Sequence, residues 1–397
     1  MALALSDLRV VEQGTFITGP CAGMLLADLG ADVIKVESPT GDPYRSYQGG
    51  QFSPHFQAYN RNKRSLALDL AKDADLALFE QLIEGADVYI QNFRPGTAER
   101  LGAGAERLMQ RNPRLVYGSI SGFGARGPYA ERPSYDSVAQ ALSGFLSVVV
   151  DPERPRFMGP ALADAITGMY AAYGILAALV ARGRDGHGSH VEVSMLEAMA
   201  HFAVEPFAAF FALGQAPRFN DRPRLAQAHI LRTEDGGLIA LHLSSLEKFW
   251  LELSRALDSP ELTNDPRFAT RQSRIEHYEA LGAALDALFS QRPLQDWLDT
   301  LGRYDVPFAP IQSIGEVVAD PQVRELGLIV PVMGAHGGKH AVRPPVQFDG
   351  ERAAHVRSAP LLDEHGASIR QALGSERGWP ALAPRQVVRH PDGGKHQ

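Results

Sequence analysis

The chain has 397 residues, with 45% apolar and 21% charged side chains and a formal net charge of −7. A chain of this length exceeds the usual single-domain size, so we expect two domains with a sizeable core. The composition is typical of a soluble globular enzyme, and the acidic balance offers no basic surface for nucleic acid.

We expect no signal peptide at the start, because MALALSDLRVVEQG has no basic start and Ser6, Asp7 and Arg9 interrupt its apolar run. No uncharged apolar stretch reaches the length of a membrane span, and 165–180 comes nearest. The single cysteine, Cys21, cannot form an internal disulfide, which suits a reducing compartment. We therefore expect a cytoplasmic protein with neither a membrane nor a nucleic acid among its partners.

The first half alternates short strands with helices. Strands are predicted at 9–12, 32–37, 65–70, 87–93 and 114–121, and helices at 20–29, 74–83 and 95–109. Alternation of this kind indicates a mainly parallel sheet covered by helices on both faces. Such sheets bind their ligands at the carboxyl ends of the strands.

A glycine-rich motif follows the last of these strands. The sequence GFGARG, from Gly122 to Gly127, matches the dinucleotide-binding pattern G-x-G-x-x-G. That pattern needs a helix that opens on the glycines, whereas Pro128 and Pro133 follow here. We therefore predict no nicotinamide cofactor, and expect the loop to bring backbone N–H groups close to another ligand.

The longest apolar helix is predicted over 165–180, directly after one acidic residue, Asp164. Six apolar residues recur at helical spacing and indicate a core helix: Ile166, Met169, Tyr170, Tyr173, Leu176 and Leu179. Asp164 is predicted to be the N-cap, because a carboxylate accepts hydrogen bonds from first-turn N–H groups and the helix dipole favours negative charge there. A carboxylate kept ionised at this position is also available as a nucleophile, so both roles stay open.

Two histidines raise the question of a metal site. His187 and His190 lie in the glycine-rich segment GRDGHGSH, where Asp185 is the only carboxylate at ligand spacing. An exposed turn is therefore predicted there, and no metal is expected.

Beyond Met199 the pattern changes to a smaller α+β unit. A helical segment to 213 leads into a polar connection at 214–224, and short strands follow from 229 and at 238–243. Helices are predicted at 246–257, 277–289 and 294–301, a strand returns at 328–332, and the last 20 or so residues are expected to be weakly ordered. The predicted domains are 1–205, 206–327 and 328–397, the last returning to the first.

Seven segments, in the same order, resemble one enzyme family. They are RVVEQGTFITGPCAGMLLADLGADVIKVESPTGDPYR, NRNKRSLALDL, DVYIQNFRPGTAERLG, YGSISGFGARGPY, YDSVAQALSG, GPALADAITGMYAAYGILAAL and APLLDEHGASIRQALG. Together they resemble the class III coenzyme A transferases, which include formyl-CoA transferase and carnitine CoA-transferase and are related to α-methylacyl-CoA racemase. The resemblance implies an α/β fold with a Rossmann-like large domain, a smaller α+β domain and an interlocked, ring-like homodimer.

The resemblance also implies that Asp164 is the catalytic nucleophile. Coenzyme A would move from an acyl-CoA to a carboxylic acid through an aspartyl mixed anhydride and an aspartyl-CoA thioester. The acyl-CoA and the acid are substrates, and no cofactor or metal is implied.

Contacts with coenzyme A carry over by resemblance to matching positions. They are Ile17, Thr18, Leu68, Asp69, Leu70, Ala71, Asn92, Phe93, Arg94, Arg100, Ser121, Gly122 and Phe123. Two positions depart from formyl-CoA transferase, since Ser38 and Ser121 stand where that enzyme has cations. Four cations are candidates to replace them, or are simply solvated surface residues: Arg61, Lys63, Arg64 and Arg100.

Two other functions stay open beside the transferase. An acyl-CoA racemase needs a base beside the α-carbon, and the racemase relative has a His-Asp pair where this chain has Tyr135 and Asp136. A tyrosine with an ordinary pKa near 10 is a poor base at neutral pH, so the transferase is favoured. A non-catalytic CoA-binding protein is disfavoured because Asp164 and its flanking glycines are present. The glycine-rich loop of formyl-CoA transferase is missing, so formyl or oxalyl specificity is not expected.

Overall fold

The computed structural model describes residues 3–157, 159–245, 247–353, 356–374, 379 and 387–389. The chain forms a large unit, made of Met1–Leu146, Phe157–Phe207 and Gln322–Gln397, and a small unit, made of Ser147–Arg156 and Ala208–Pro321. Most of the tail that the sequence predicts to be weakly ordered lies outside the described residues.

A six-stranded parallel sheet with strand order β3-β2-β1-β4-β5-β6 forms the centre of the large unit. Its strands are β1 Arg9–Gln13, β2 Asp32–Glu37, β3 Arg64–Ala67, β4 Val88–Gln91, β5 Val116–Ser121 and β6 His190–Ser194. The parallel α/β sheet predicted from the alternating pattern is confirmed. The strand order reverses between β1 and β4, so the carboxyl ends of these strands form a switch point where such sheets bind ligands.

Within the described residues 3–157 and 159–213, ten α-helices connect or follow these strands. They are α1 Thr18–Asp28, α2 Pro54–Asn60, α3 Asp73–Glu84, α4 Thr97–Arg100, α5 Ala105–Arg111, α6 Asp136–Leu142, α7 Phe145–Val149, α8 Leu162–Asp185, α9 Met195–Phe202 and α10 Val204–Leu213. The single helix predicted over 95–109 is wrong. It divides into α4 and α5 because Gly102 adopts a left-handed φ of 72° that ends the first piece.

Another prediction fails at the second edge of the sheet. His190 is the first residue of β6 and pairs with Tyr117 of β5, whereas the sequence placed it in an exposed turn. The turn ends earlier, because Gly188 lies against the backbone of Leu115, where a Cβ atom would come within 1.9 Å of the carbonyl oxygen. Because Gly188 already lies beside β5, the edge strand β6 begins only two residues later, at His190.

The chain returns to the large unit near residue 322. The returning elements are α18 Pro321–Glu325, β10 Ile329–Met333, β11 His340–Val342, β12 Glu351–Ala353, β13 Val356–Arg357, α19 Gly366–Leu373 and β14 Val387–Arg389. Asn62 connects the returning segment to α1. Its amide nitrogen donates to Asp28 over 2.6 Å, and its oxygen accepts from the Arg357 N–H over 2.8 Å. The predicted strand at 328–332 is confirmed, shifted by one residue.

The small unit has an antiparallel sheet with order β7-β8-β9. Its elements are α11 Asp221–Ala226, β7 Ala228–Arg232, β8 Leu238–His242, α12 Lys248–Leu257, α13 Pro260–Thr263, α14 Arg271–Glu276, α15 Tyr278–Phe289, α16 Leu294–Leu301, β9 Phe308–Pro310 and α17 Ile314–Ala319. Buried aromatic rings of Trp250, Phe268, Phe289 and Trp297 fill its core. The predicted strands and helices of this part are confirmed within two residues, residue 246 lying outside the described part.

The two faces of the parallel sheet bury different side chains. Val10, Val88 and Val116 pack with residues of α1 and α8, whereas Tyr89 and Tyr117 pack on the opposite face with residues of α3, α5 and α19. Both faces are covered, which explains why β1 and β2 carry apolar residues at consecutive positions.

Helix α8 is long and apolar enough, by length and composition, to cross a membrane, and the bent pair α9 and α10 passes the same test together. In the structure α8 packs against α1, β5 and β6, and Ile175 and Ala178 lie in the core, as expected for a core helix. Met169 and Tyr173 do not fit that prediction, because they are exposed. Apolar residues surround this helix on all sides, so helical spacing alone does not reveal which face is buried.

Helices α1 and α8 approach each other closely at Gly168. A Cβ atom on Gly168 would lie 2.6 Å from the Cβ of Cys21 and 2.9 Å from the carbonyl oxygen of Thr18. Real Cβ atoms do not come this close, so a glycine is required for the two helices to keep their contact.

We expect Gly168→Ala to lower the free energy of unfolding by about 1–3 kcal/mol, because the added methyl group overpacks the α1–α8 contact. Gly183→Ala is the matched control in the same helix, since a Cβ atom there meets nothing within 4 Å. The control should gain about 0.5–1 kcal/mol from helix propensity. Urea unfolding of both variants measures the difference, and equal stabilities would contradict the overpacking.

Candidate active site

The loop between β1 and α1 lies at the switch point and is tied to the end of β4 by Asn92. The Asn92 side chain accepts from the Thr15 N–H over 2.8 Å and donates to the Thr15 carbonyl and the Thr18 hydroxyl, each over 2.8 Å. Ile17 is the N-cap of α1 and makes no side-chain capping bond. Three predicted CoA contacts, Ile17, Thr18 and Asn92, are therefore brought together.

A buried cluster of charges, which we call the ion cluster, lies next to this loop and consists of Glu12, Lys35, Lys63 and Asp42. The Lys35 ammonium group lies 3.2 Å from Glu12 and 3.0 Å from Asp42, and that of Lys63 lies 2.7 Å from Glu12. Lys35 also donates to the Gly14 carbonyl over 2.7 Å. Burial lowers the pKa of Lys63, against the opposing effect of Glu12. The cluster thus fixes the start of the loop through a neutralised set of buried charges.

The middle of the loop holds a strained residue. Phe16 has a φ of 58°, a left-handed conformation that bulky residues rarely adopt. Its N–H donates to the Asp42 carboxylate over 3.2 Å, and the same oxygen accepts from the Tyr44 N–H over 2.9 Å. Asp42 therefore couples this strained position to the ion cluster.

Asp164 is the third residue of α8 and not its N-cap, so that prediction is wrong. The helix begins at Leu162, and its N-cap, Ala161, makes no side-chain capping bond. The Asp136 carboxylate, from the start of α6, accepts instead from the N–H groups of Ala163 over 2.7 Å and Asp164 over 3.3 Å. Because a distant carboxylate supplies the cap, the side chain of Asp164 is released from that role.

The surroundings of Asp164 disfavour its charge. Burial, and then the neighbouring Asp136 carboxylate, raise the pKa of Asp164 to about 7. The sequence-based expectation that the helix start keeps this carboxylate ionised is therefore corrected. A carboxylate of raised pKa is more basic, and thus a better nucleophile once ionised, than an ordinary aspartate.

Apolar residues surround the turn of helix that carries Asp164. Ala161 packs with Ile17, Cys21 and Tyr44, and the Cys21 thiol lies 3.9 Å from the Ala165 carbonyl. Burial raises the pKa of Cys21 to about 11, so its thiol stays protonated at neutral pH. The first turn of α8 thus has apolar side chains and an uncharged thiol on the side that faces α1.

A cavity of about 280 Å³ lies at the carboxyl ends of β4, β5 and β6, and three predicted CoA contacts line it: Phe93, Arg94 and Ser121. The Ser121 hydroxyl accepts from the Gly124 N–H over 3.0 Å. Gly122 and Phe123 continue this loop, and no helix begins before Asp136. The loop therefore lacks the helix that the dinucleotide-binding pattern requires.

The other predicted contacts are separate from these two groups. Leu68 and Leu70 follow β3, at the edge of the sheet, and their side chains lie in the core, so only their backbone is available to a ligand. Asp69 accepts from the Ala71 N–H over 3.3 Å. Arg100 donates to the Thr97 hydroxyl over 2.8 Å on the surface of α4.

Three of the four candidate replacement cations are already paired, which corrects the prediction. Arg61 lies 2.5 Å from Asp28, Lys63 belongs to the ion cluster, and Arg64 lies 2.5 Å from Asp32. Breaking such buried pairs to reach a ligand would leave a carboxylate unpaired at high cost. Arg100 has no carboxylate partner in the part of the chain that the structure describes.

Sequence reasoning missed the capping role of Asp136 and the pairing of charges in the ion cluster. Glu12 and Lys35 were readable in principle, because a lone charge inside an apolar strand such as RVVEQ or DVIKVE needs a buried partner. Asp136 gave no comparable signal, since its role depends on a contact with a helix 27 residues away. Within the described residues, no group of three or more His, Cys, Asp or Glu side chains is placed to hold a metal ion.

The chain is similar over most of its length to several known proteins. The profile of CoA-transferase family III matches residues 5–366. The acetyl-CoA:oxalate CoA-transferase of Acetobacter aceti is 36% identical over 92% of this chain and 94% of its own length. The succinate–glutarate CoA-transferase of Agrobacterium fabrum is 34% identical over 92% and 94%. The crystal structure of a CAIB/BAIF family protein from Brucella suis is 35% identical, with a TM-score of 0.83 over 94% of this chain and 100% of its own.

The raised pKa of Asp164 predicts how stability depends on pH. The folded state binds this proton more tightly than the unfolded state, so ionised Asp164 costs stability as pH rises from about 4 to about 7. We expect Asp164→Asn to raise the free energy of unfolding by on the order of 2 kcal/mol at pH 8 and by much less at pH 4. Denaturant unfolding at both values measures this.

Asp136→Asn serves as the companion variant, because it keeps an oxygen acceptor for the Ala163 N–H while removing the neighbouring charge. In the Asp136→Asn background, the change in the free energy of unfolding caused by Asp164→Asn should depend less on pH. An effect of Asp164→Asn that is the same at pH 4 and pH 8 would contradict the assigned pKa.

Proposed function

The chain belongs to CoA-transferase family III and transfers coenzyme A from an acyl-CoA to a carboxylic acid, and on this premise we propose that Asp164 is the nucleophile. The observation that carries the proposal is a mostly buried carboxylate of raised pKa, released from helix capping by Asp136. A carboxylate in this position can attack a thioester without a separate base, because its reactive form is already an anion.

The proposed reaction conserves the thioester energy in two halves. Asp164 attacks the thioester carbonyl, the C–S bond breaks, and a mixed anhydride forms with release of the CoA thiolate. The thiolate then attacks the carbonyl carbon of Asp164, which releases the donor acid and leaves aspartyl-CoA. The acceptor carboxylate repeats both steps in reverse order, so a new acyl-CoA leaves and the Asp164 carboxylate is regenerated without ATP or a metal.

The surroundings of Asp164 support each half of this sequence. The apolar packing around Ala161 and Cys21 protects the anhydride from hydrolysis. The first turn of α8 presents the positive end of its dipole to the charge that develops on the carbonyl oxygen. Asp136 fixes that turn through two backbone N–H groups, which holds the reacting carbonyl in one orientation.

We further propose that coenzyme A extends over the carboxyl ends of the strands. The group of Ile17, Thr18 and Asn92 would contact the thioester end of coenzyme A. The cavity lined by Phe93, Arg94 and Ser121 would bind another part of the same molecule. In this proposal Gly122, Phe123 and the backbone of 68–71 complete the binding surface, and Arg100 contributes a cation at the end of α4.

We propose that the protein is a homodimer, since apolar side chains on α8 and α10 are exposed. Tyr173 is 71% exposed and Leu213 is 73% exposed, and α10 buries none of its ten residues. Exposed apolar patches of this kind mark interfaces between proteins. The interlocked, ring-like form is what the family resemblance implies for this dimer.

We expect Asp164→Asn to lower kcat for acyl transfer at least about 1,000-fold, because the amide cannot form the mixed anhydride. In wild-type protein incubated with succinyl-CoA, hydroxylamine or borohydride should modify the peptide that contains Asp164, as read by mass spectrometry. Asp185→Asn, at the exposed end of the same helix, is the matched control and should keep wild-type turnover. Full turnover by Asp164→Asn, with deamidation excluded, would disprove the covalent mechanism.

The dimer proposal predicts that Tyr173→Glu weakens self-association, since a buried charge at an apolar interface is costly. Arg184→Glu changes the charge at another exposed position of α8 and should leave the dimer intact. Sedimentation velocity over a range of protein concentrations measures both. A monomeric wild-type protein at micromolar concentration would rule the proposal out.

A further inference from the structure

The Asp136 carboxylate is held by a second side chain, in addition to the backbone groups of α8 that it caps. Gln140 lies one turn further along α6, and its amide nitrogen donates to Oδ2 of Asp136 over 2.6 Å. The other oxygen, Oδ1, accepts from the N–H groups of Ala163 and Asp164. Each oxygen of the carboxylate has its own partner, so Gln140 fixes the rotation that points Oδ1 at the start of α8.

Gln140 holds this carboxylate without neutralising it. Among the described residues, no lysine, arginine or histidine forms an ion pair with Asp136, and Gln140 is the side chain that donates to it. A cation in this position would cancel the charge of Asp136, whereas a neutral amide leaves that charge in place. The negative charge of Asp136 therefore stays close to Asp164, where it is the second cause, after burial, of the raised pKa of Asp164.

The surroundings of Gln140 are apolar. Gln140 is only 3% exposed, and α6 packs against α8 and α9 through Ala139 and Ala163, next to two methionines of α9. An amide in such a place is costly unless it is paired, because an unpaired polar group loses its hydration without compensation. An apolar side chain would fill this position without that cost, so the amide indicates a requirement for the hydrogen bond to Asp136.

We propose that Gln140 is a positioning residue for the nucleophile, which holds the Asp136 carboxylate against the start of α8 without neutralising it and so fixes the turn that presents Asp164. The inference rests on the proposed function of Asp164. Gln140 acts through Asp136 in two ways. The capped turn keeps the reacting carboxylate in one orientation, and the retained charge influences the pH at which that carboxylate ionises.

The titratable groups that interact with Asp164 come from several elements. Within the described residues they are Asp136 on α6, Cys21 on α1, Tyr59 on α2, and Tyr44 in the segment before α2. Burial raises the pKa of Cys21 to about 11 and that of Tyr44 to about 12, and it also raises the pKa of Tyr59. These three groups are neutral between about pH 5 and pH 9, so Asp136 is the one that is charged over this range.

The test measures how kcat/KM for succinyl-CoA depends on pH, with isotopically labelled succinate as the acceptor. The acid limb of this profile reports the ionisation of the free nucleophile, and wild-type activity should fall as the pH drops through about 7. Gln140→Met keeps the length of the side chain and removes the donor, so Asp136 is free to rotate away. Its acid limb should move down by at least about half a pH unit, because Asp164 loses part of the repulsion, and its plateau should fall at least about fivefold.

Gln140→Glu tests the same hydrogen bond in a second way. In this variant two neighbouring carboxyl groups share one proton, so the protonated group replaces the amide as donor to Asp136. The variant should keep the wild-type acid limb and recover at least about half of the wild-type plateau. Its activity should then fall at alkaline pH, where the shared proton dissociates, while wild type keeps its plateau. An identical alkaline profile in both proteins would contradict the proposal.

Ser143→Ala is the matched control, because it also removes a buried hydrogen bond at the end of α6, from the Ser143 hydroxyl to the backbone carbonyl of Gln140 over 3.0 Å. It should lower the free energy of unfolding without moving the acid limb. An acid limb of Gln140→Met that coincides with that of wild type, or an equal shift in Ser143→Ala, would overturn this inference.

A second measurement requires no turnover. Asp164→Asn is introduced into wild type and into Gln140→Met, and the pH dependence of its effect on the free energy of unfolding reports the ionisation of Asp164 in each background. This dependence should move to lower pH in Gln140→Met, and an unchanged dependence would refute the role of Gln140. Absence of exchange in wild type would count against the proposed function, while the unfolding measurement would still decide the role of Gln140.

Discussion

The carboxylate of Glu12 accepts hydrogen bonds from two buried lysines, Lys35 and Lys63. The position of the loop between β1 and α1 depends on this arrangement. Lys35 is bound to the Gly14 carbonyl and Lys63 to the Pro20 carbonyl, over 2.7 Å and 2.8 Å. Any shift of the loop would separate a buried ion pair, and leaving one such charge unpaired costs roughly 3–5 kcal/mol. The ion cluster therefore acts as a rigid base on which the strained Phe16 and the start of α1 are held.

Asp136 and Asp164 have different roles at the start of α8. Asp136 satisfies the unpaired N–H groups, which is a purely structural task, and Asp164 keeps a side chain that no backbone group stabilises. The result is a carboxylate whose ionised form is disfavoured by burial and by Asp136, which lowers the stability of the fold at a pH above its pKa. Because Asp136 caps the helix, the side chain of Asp164 can keep its raised pKa while the start of α8 stays capped.

Local patterns predicted what depends on local chemistry. The parallel sheet, the core helix α8 and the rejection of the GFGARG motif all followed from periodicity and from proline positions. The failures are tertiary: Asp136, 28 residues before Asp164, takes the capping role predicted for Asp164, and Lys63 and Arg64 are paired inside the fold. No spacing rule contains such contacts, because they exist only after the sheet has brought distant segments together. The proposed role of Asp164 came from the resemblance to a family rather than from any single motif.

Asn62 accepts from a backbone group 295 residues further along the chain while it holds Asp28 of α1. On the ribosome, the first half of the large unit emerges long before Arg357, whose N–H group Asn62 binds, and the small unit is synthesised between the two. Long-range closure of this kind slows folding and leaves partly assembled chains open to association. The large unit can therefore complete its folding only after the last quarter of the chain has been synthesised. A truncation after the small unit would remove the hydrogen bond between Arg357 and Asn62.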